Sequence, residues 1–140
     1  IRDQPRSRGL GDVYKRQDLE DLKNIVLGEN FPWYMNDGVT WPGDGHIQFT
    51  HQTFKNGEFK SSFTLGGLDI FKEKLGFTKI LRAKFNLLQM TPEIVEHPYH
   101  TDLPDPGKNV KTAILYLNTN NGYTKFKTGE QVESVENRLV

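Results

Sequence analysis

Residues 96–126 read "EHPYHTDLPDPGKNVKTAILYLNTNNGYTKF". The middle of this stretch, "VKTAILYLN" (110–118), is the strongest strand signal in the chain. It is rich in β-branched and aromatic residues, and turn-forming residues bound it on both sides. "DLPDPGKN" (102–109), with two Pro, one Gly and two Asp, makes a loop before it; "NTNNG" (118–122) turns the chain after it, and "YTKFKT" opens another strand. Ahead of the loop stands His100-Thr101-Asp102. In extended chain, residues two apart point to the same side, so His100 and Asp102 can converge on one metal ion. His97, three positions earlier and followed by Pro98, is expected to face away from that pair.

Working outward, "TKILRAKFNLLQ" (78–89) alternates. Ile80, Arg82, Lys84 and Asn86 take one face, and Leu81, Ala83, Phe85 and Leu87 the other. "EQVESVENRLV" (130–140) alternates again. Upstream, "DLEDLKNIVL" (18–27) spaces Leu19, Leu22, Ile25 and Val26 as a helix does, and Gly28 can end it. "GHIQFTHQTF" (45–54) alternates as a half-buried strand, "NGE" (56–58) is a turn signal, and "FKSSFTL" (59–65) is a second short strand. "GLDIFKEKLGF" (67–77) is an amphipathic helix through Leu68, Phe71 and Leu75, closed by Gly76. "NFPWYMNDG" (30–38) is an aromatic loop or strand start, which serves either as an apolar plug or, through Trp33 and Tyr34, as a substrate wall. The expected fold is mainly β with supporting helices, a β-sandwich or jelly roll.

Composition narrows the chemistry. The 140 residues suffice for one modest core. With 18 basic and 18 acidic residues, no whole-protein field draws in nucleic acid. There is no Cys, which excludes disulfides, thiolate metal sites and a Cys nucleophile and leaves His and carboxylates as metal donors. No run of about 18 apolar residues is present, so no membrane span is expected, and a cytoplasmic setting is the default. Residues 1–17, "IRDQPRSRGLGDVYKRQ", hold five basic and two acidic residues and resemble translated adaptor read-through; they are expected to pack poorly, leaving 18–140 as one partial domain. "VESVENRLV" reads as stopping in mid-strand, so the domain is expected to continue past residue 140.

From Thr78 onward the order "HTD", "LPDPGKN", "TAILYLN", "NNGYTKF", "ENRLV" resembles the 2-oxoglutarate/Fe(II)-dependent oxygenases, particularly the prolyl 4-hydroxylase-like branch. "FPWY", "QFTHQTF" and "RAKFNL" are similar to the versions in virus- and plankton-derived members. The resemblance covers roughly the last 60 residues and lies in order and spacing, since His-x-Asp alone is a weak signal that also suits a solvated turn. It implies a double-stranded β-helix (jelly-roll, cupin-like) fold, Fe(II) as metal, 2-oxoglutarate and O₂ as co-substrates, and an unidentified hydroxylation substrate. In a viral member the compartment would be the host cytoplasm.

His100 and Asp102 match the first two iron ligands. Tyr116 matches a Tyr that hydrogen-bonds the distal 2-oxoglutarate carboxylate; Thr112, four residues earlier, and Asn86 on the preceding strand match pocket and co-substrate contacts. Thr124 and Phe126 are expected in the barrel wall. The family also needs a distal His and, beyond it, an Arg or Lys. Both are expected beyond residue 140, because His46 and His51 come too early and Arg138 precedes the His position; the 140-residue chain alone is therefore expected to be inactive. The competing expectation is a non-enzymatic jelly-roll binding module, for carbohydrate or as a viral structural domain, using Trp33, Tyr34 and Trp41. A cupin-like metal enzyme without 2-oxoglutarate would need a His-rich motif with a Glu, which is absent.

Overall fold

In the computed structural model, residues 13–63, 68–103 and 109–140 are described. The N-terminal residues 1–12, the end of the predicted strand at 64–65, Gly67 at the start of the second predicted helix and the Pro/Gly loop 104–108 lie outside them. Among the described residues the architecture is antiparallel β with two short helices, and the strands do not close a barrel. Two compact units result: Asn24–His97, and Pro98–Val140 together with the chain up to Lys23. Among the described residues no helix is long and apolar enough to cross a membrane.

The first helix, α1 (Arg16–Val26), buries Leu19 and Val26 and leaves Ile25 exposed, so the apolar stripe runs through Leu19, Leu22 and Val26. Asp18 in its first turn and Lys23 in its last complement the helix dipole.

In the unit Asn24–His97, the sheet forms around β2 (Ile47–Lys55). β4 (Arg82–Leu88) pairs antiparallel along one edge of β2, from Gln48↔Leu88 to Lys55↔Arg82. β1 (Tyr34–Asp37) and the two-residue β3 (Glu58–Phe59) share the other edge. Asn56 and Gly57, at φ 54° and 87°, both occupy the left-handed region, as a two-residue hairpin turn demands. β2 carries a bulge at Thr53, which is 1 % exposed and donates its hydroxyl to the Ala83 carbonyl at 3.2 Å. α2 (Leu68–Leu75) ends at Gly76, whose φ of 62° suits the left-handed C-cap.

The plug predicted in "NFPWYMNDG" is Phe31. It is 5 % exposed and meets Trp33, His51, Phe63 and Phe85 at ring-centre distances of 4.4–5.3 Å, mostly edge to face. Tyr34, by contrast, is 61 % exposed. His51, expected on a strand face, is buried within this cluster. The Pro32 carbonyl, 2.6 Å from Nδ1, can only accept, so Nδ1 carries the proton and Nε2 accepts from the Ser61 hydroxyl at 2.7 Å. Both ring nitrogens are thereby satisfied, which is what permits a histidine in an aromatic core.

In the other unit, β5 (Tyr123–Lys125) and β6 (Gln131–Glu133) form an antiparallel hairpin. Residues 110–118, predicted as the best strand, are not a regular strand. They contribute one bridge, Leu115↔Leu139, flanked by reciprocal backbone bonds of Ile114 with Val140 and by Tyr116 N–H to Arg138 O. Strand propensity supplies an extended backbone, but a regular strand also needs a continuous ladder with a partner alongside it. Leu139, fully buried, and Val132, 4 % exposed, form the core here. Full burial of one Leu is worth about 1.5–3 kcal/mol.

Residues 13–17 depart from the expected loose tail. Val13 and Tyr14 are 8 % and 7 % exposed, and α1 already begins at Arg16. Asn137, itself 8 % exposed, grips them: Oδ1 accepts from Val13 N–H at 3.2 Å and Tyr14 N–H at 2.9 Å, and Nδ2 donates to the Tyr14 carbonyl at 2.7 Å. Packing therefore starts at Val13 rather than after residue 17, because the backbone groups ahead of the helix find their partners on a side chain 123 positions away.

Candidate metal site

His100 and Asp102 lie in chain without a regular strand, where a strand end was expected, yet their side chains still converge. Nε2 of His100 stands 4.0 Å from Oδ1 of Asp102, with 41 % and 32 % of each side chain exposed. The Pro98 carbonyl, 3.0 Å from His100 Nδ1, accepts the proton there. That contact occupies Nδ1, so Nε2 is the ring nitrogen left on the side of the carboxylate for a metal. Thr101 between them turns its hydroxyl to the Leu103 carbonyl at 2.9 Å, so it takes no part.

The donor chemistry fits a divalent ion of the iron, manganese or zinc type. With donor–metal distances of about 2.0–2.2 Å, two cis ligands stand about 3.0 Å apart. The observed pair is about 1 Å wider, a gap that rotation of two partly exposed side chains closes. Among the described residues, no group of three His, Cys, Asp or Glu is assembled for a metal, so this pair supplies two donors.

Tyr116 is half-buried, and its hydroxyl lies 2.5 Å from Thr124 Oγ1 and 3.4 Å from the Val132 carbonyl. Burial pushes the phenol above its usual range, against the pull of the Thr124 hydrogen bond, so it stays a neutral donor. Thr112 is exposed and outside any regular strand. Asn86 sits exposed on β4 opposite Thr50, in the unit Asn24–His97, whereas His100, Asp102 and Tyr116 belong to the other. Of the five expected site residues, His100 and Asp102 stand close to each other, and Tyr116 pairs with Thr124, which was expected in the barrel wall.

A further pairing was not read from the sequence. The ring of His97 meets that of His46, with centres 4.8 Å apart and planes at 88°. His46 and His97 are 51 positions apart, and nothing local joins them. His46 follows a tightly held loop. Gly38, at φ 136°, leaves no room for a Cβ, which would fall 2.0 Å from the Trp41 carbonyl oxygen. Asp44 accepts from the backbone N–H groups of Thr40 (2.7 Å), Val39 and His46 (both 3.0 Å). The Thr40 bond, with those from His46, Val39 and Trp41, lowers its carboxyl to about 2 despite some desolvation.

No protein-family model, no curated protein and no solved structure matches this chain.

Proposed function

We propose that this chain carries part of the metal site of an Fe(II)- and 2-oxoglutarate-dependent dioxygenase, a hydroxylase of a substrate still to be identified, built on a double-stranded β-helix and acting in the cytoplasm. The observation that carries the reading is the His100–Asp102 pair: an imidazole Nε2 freed for a metal by the Nδ1–Pro98 bond, facing a carboxylate at 4.0 Å. His100 and Asp102 would hold Fe(II) as two ligands of a facial triad, with the third donor and the cation for 2-oxoglutarate supplied from outside the described residues. When bound, iron would let O₂ act as the oxidant and 2-oxoglutarate as the two-electron reductant, one oxygen atom going to the substrate hydroxyl and the other to succinate as CO₂ is lost. The chain's own contribution is placement. Pro98 holds the imidazole tautomer, and the neutral Tyr116 phenol offers a hydrogen bond to a carboxylate in a partly desolvated wall. Thr112 is the further proposed co-substrate contact in this unit.

The test uses a longer form of the chain that supplies the third donor. Under anaerobic conditions, Fe(II) plus 2-oxoglutarate should produce the weak visible charge-transfer band of a chelated 2-oxo acid, and air should start slow succinate release. His100→Ala and Asp102→Ala should each abolish both. Retention of the band in both variants refutes the reading. The 140-residue chain should bind Fe(II) weakly and turn nothing over.

The second reading, a carbohydrate-binding or viral structural module, is favoured by one observation: Tyr34 and Trp41 are 61 % and 52 % exposed. Glycan-dependent quenching of Trp fluorescence, with no response to Fe(II), would put it ahead.

A further inference from the structure

We propose that a cleft in the unit Asn24–His97 binds a small aromatic carboxylate. The cleft lies where the turn between β2 and β3 meets the last turn of α2 and the segment 77–80. Its volume is about 290 Å³, the lower end of small-molecule sites and enough for one ring with a short acid side chain. Phe54, Phe77 and Ile80 are half-buried and give it apolar walls. Lys72, Thr78 and Lys79 are exposed and border it. Every one of these residues belongs to the unit Asn24–His97, so the inference is independent of the His100–Asp102 reading.

Charge complementarity selects the ligand. Among the described residues, two cations and no carboxylate line the cleft, and neither Lys72 nor Lys79 has an ion pair. Glu58, beside Gly57 of the turn, is already engaged by Lys60. An apolar ring gains contact with the Phe54 and Phe77 walls, and an acid group on it meets ammonium groups carried on flexible stems. A cationic ligand is repelled from the same rim. The walls are pre-formed. Phe54 sits opposite Ala83 in the sheet and packs edge to face on Phe59, ring centres 5.3 Å apart. Asn56 N–H reaches the Leu81 carbonyl at 3.1 Å and ties the turn to the chain after Ile80. Gly76 N–H reaches the Lys72 carbonyl at 2.8 Å and closes α2 just before Phe77. A Cβ at Gly57 would meet nothing within 4 Å, so the space beside the turn is open. Walls fixed in advance reduce the ordering that binding has to offset.

The test takes the 140-residue chain as it is, 3-phenylpropionate as the probe, and backbone amide NMR as the readout. Saturable shifts should appear at Gly57, Phe77, Thr78 and Lys79 and leave Gln131–Glu133 in place. Lys72→Gln and Lys79→Gln should each weaken binding about 2- to 5-fold, the worth of an exposed ion pair, and the double variant about 4- to 25-fold. The neutral 3-phenylpropanamide should bind more weakly than the acid and ignore both substitutions. Propionate, which lacks the ring, should produce no saturable shifts. The double variant His100→Ala, Asp102→Ala should bind the probe as the parent chain does, which separates this proposal from the iron reading. Shifts confined to other residues, an amide that binds as tightly as the acid, or lysine variants that bind the acid unchanged overturn the proposal. Both lysines are exposed, so their replacement leaves the fold intact, and the acid-against-amide comparison on the parent chain needs no variant.

Discussion

Replacing Asn137 should destabilise the protein strongly, because one buried side chain ties two segments 123 positions apart. Asn137 has φ 67°, a conformation that asparagine tolerates and alanine resists. Its side chain makes three hydrogen bonds to Val13 and Tyr14, at 2.7–3.2 Å, in a buried setting. Val13 N–H also reaches the Asn137 carbonyl at 3.1 Å, so it retains a partner when the side chain goes. At about 1 kcal/mol net per bond, the loss is about 2–3 kcal/mol. Forcing alanine into the left-handed region adds about 1–2 kcal/mol. Asn137→Ala should therefore cost about 3–5 kcal/mol, a large share of the roughly 5–15 kcal/mol that holds a domain of this size together. Asn137→Gly removes the same bonds without the steric conflict and should cost about 1 kcal/mol less than alanine. Equilibrium urea unfolding measures both, and amide exchange at Tyr14 reports the local loosening. A cost under 1 kcal/mol for Asn137→Ala, or a glycine variant worse than alanine, would refute the clamp.

Asp44 should make stability pH-dependent at the acid end. Its folded carboxyl is lowered to about 2, chiefly by the Thr40 N–H, so its contribution is complete above the ordinary Asp range and fades as pH falls from about 4 towards 2; Asp44→Asn should flatten acid unfolding in that window. If the acid limbs of the two proteins superimpose, the Asp44 turn is not what holds loop 38–46. Tyr116→Phe and Thr124→Val should each cost about 0.5–1.5 kcal/mol, and the double variant little more than either, because they remove the same hydrogen bond. In the iron-binding long form, Tyr116→Phe alone should also raise the 2-oxoglutarate requirement roughly ten- to a hundred-fold, the cost of a bond to a charged group. Additive stabilities would dissolve the pair, and an unchanged 2-oxoglutarate requirement would remove Tyr116 from the co-substrate site.

Local rules sufficed where the controlling interactions are short in sequence. The two helices, β2, the Asn56-Gly57 hairpin and β4 follow from apolar spacing and from backbone positions that only certain residues accept. His100 Nε2 and Asp102 Oδ1 stand 4.0 Å apart, although the strand end from which their i, i+2 relation was argued does not form. Tertiary structure decided the rest, because the partners are remote. "VKTAILYLN" has every strand propensity, yet it meets 137–140 in a single bridge, Leu115↔Leu139, with a few backbone bonds beside it and no regular ladder. Tyr14 is buried because Asn137, 123 residues on, satisfies its backbone, and no periodicity near Tyr14 announces that. His46 and His97 meet across 51 residues of chain, through a glycine-strained loop at one end and the segment after β4 at the other. Sequence spacing sets which side chains share a face; which faces then meet depends on chain closure, where long-range hydrogen bonds and ring packing offset the entropy of bringing distant segments together.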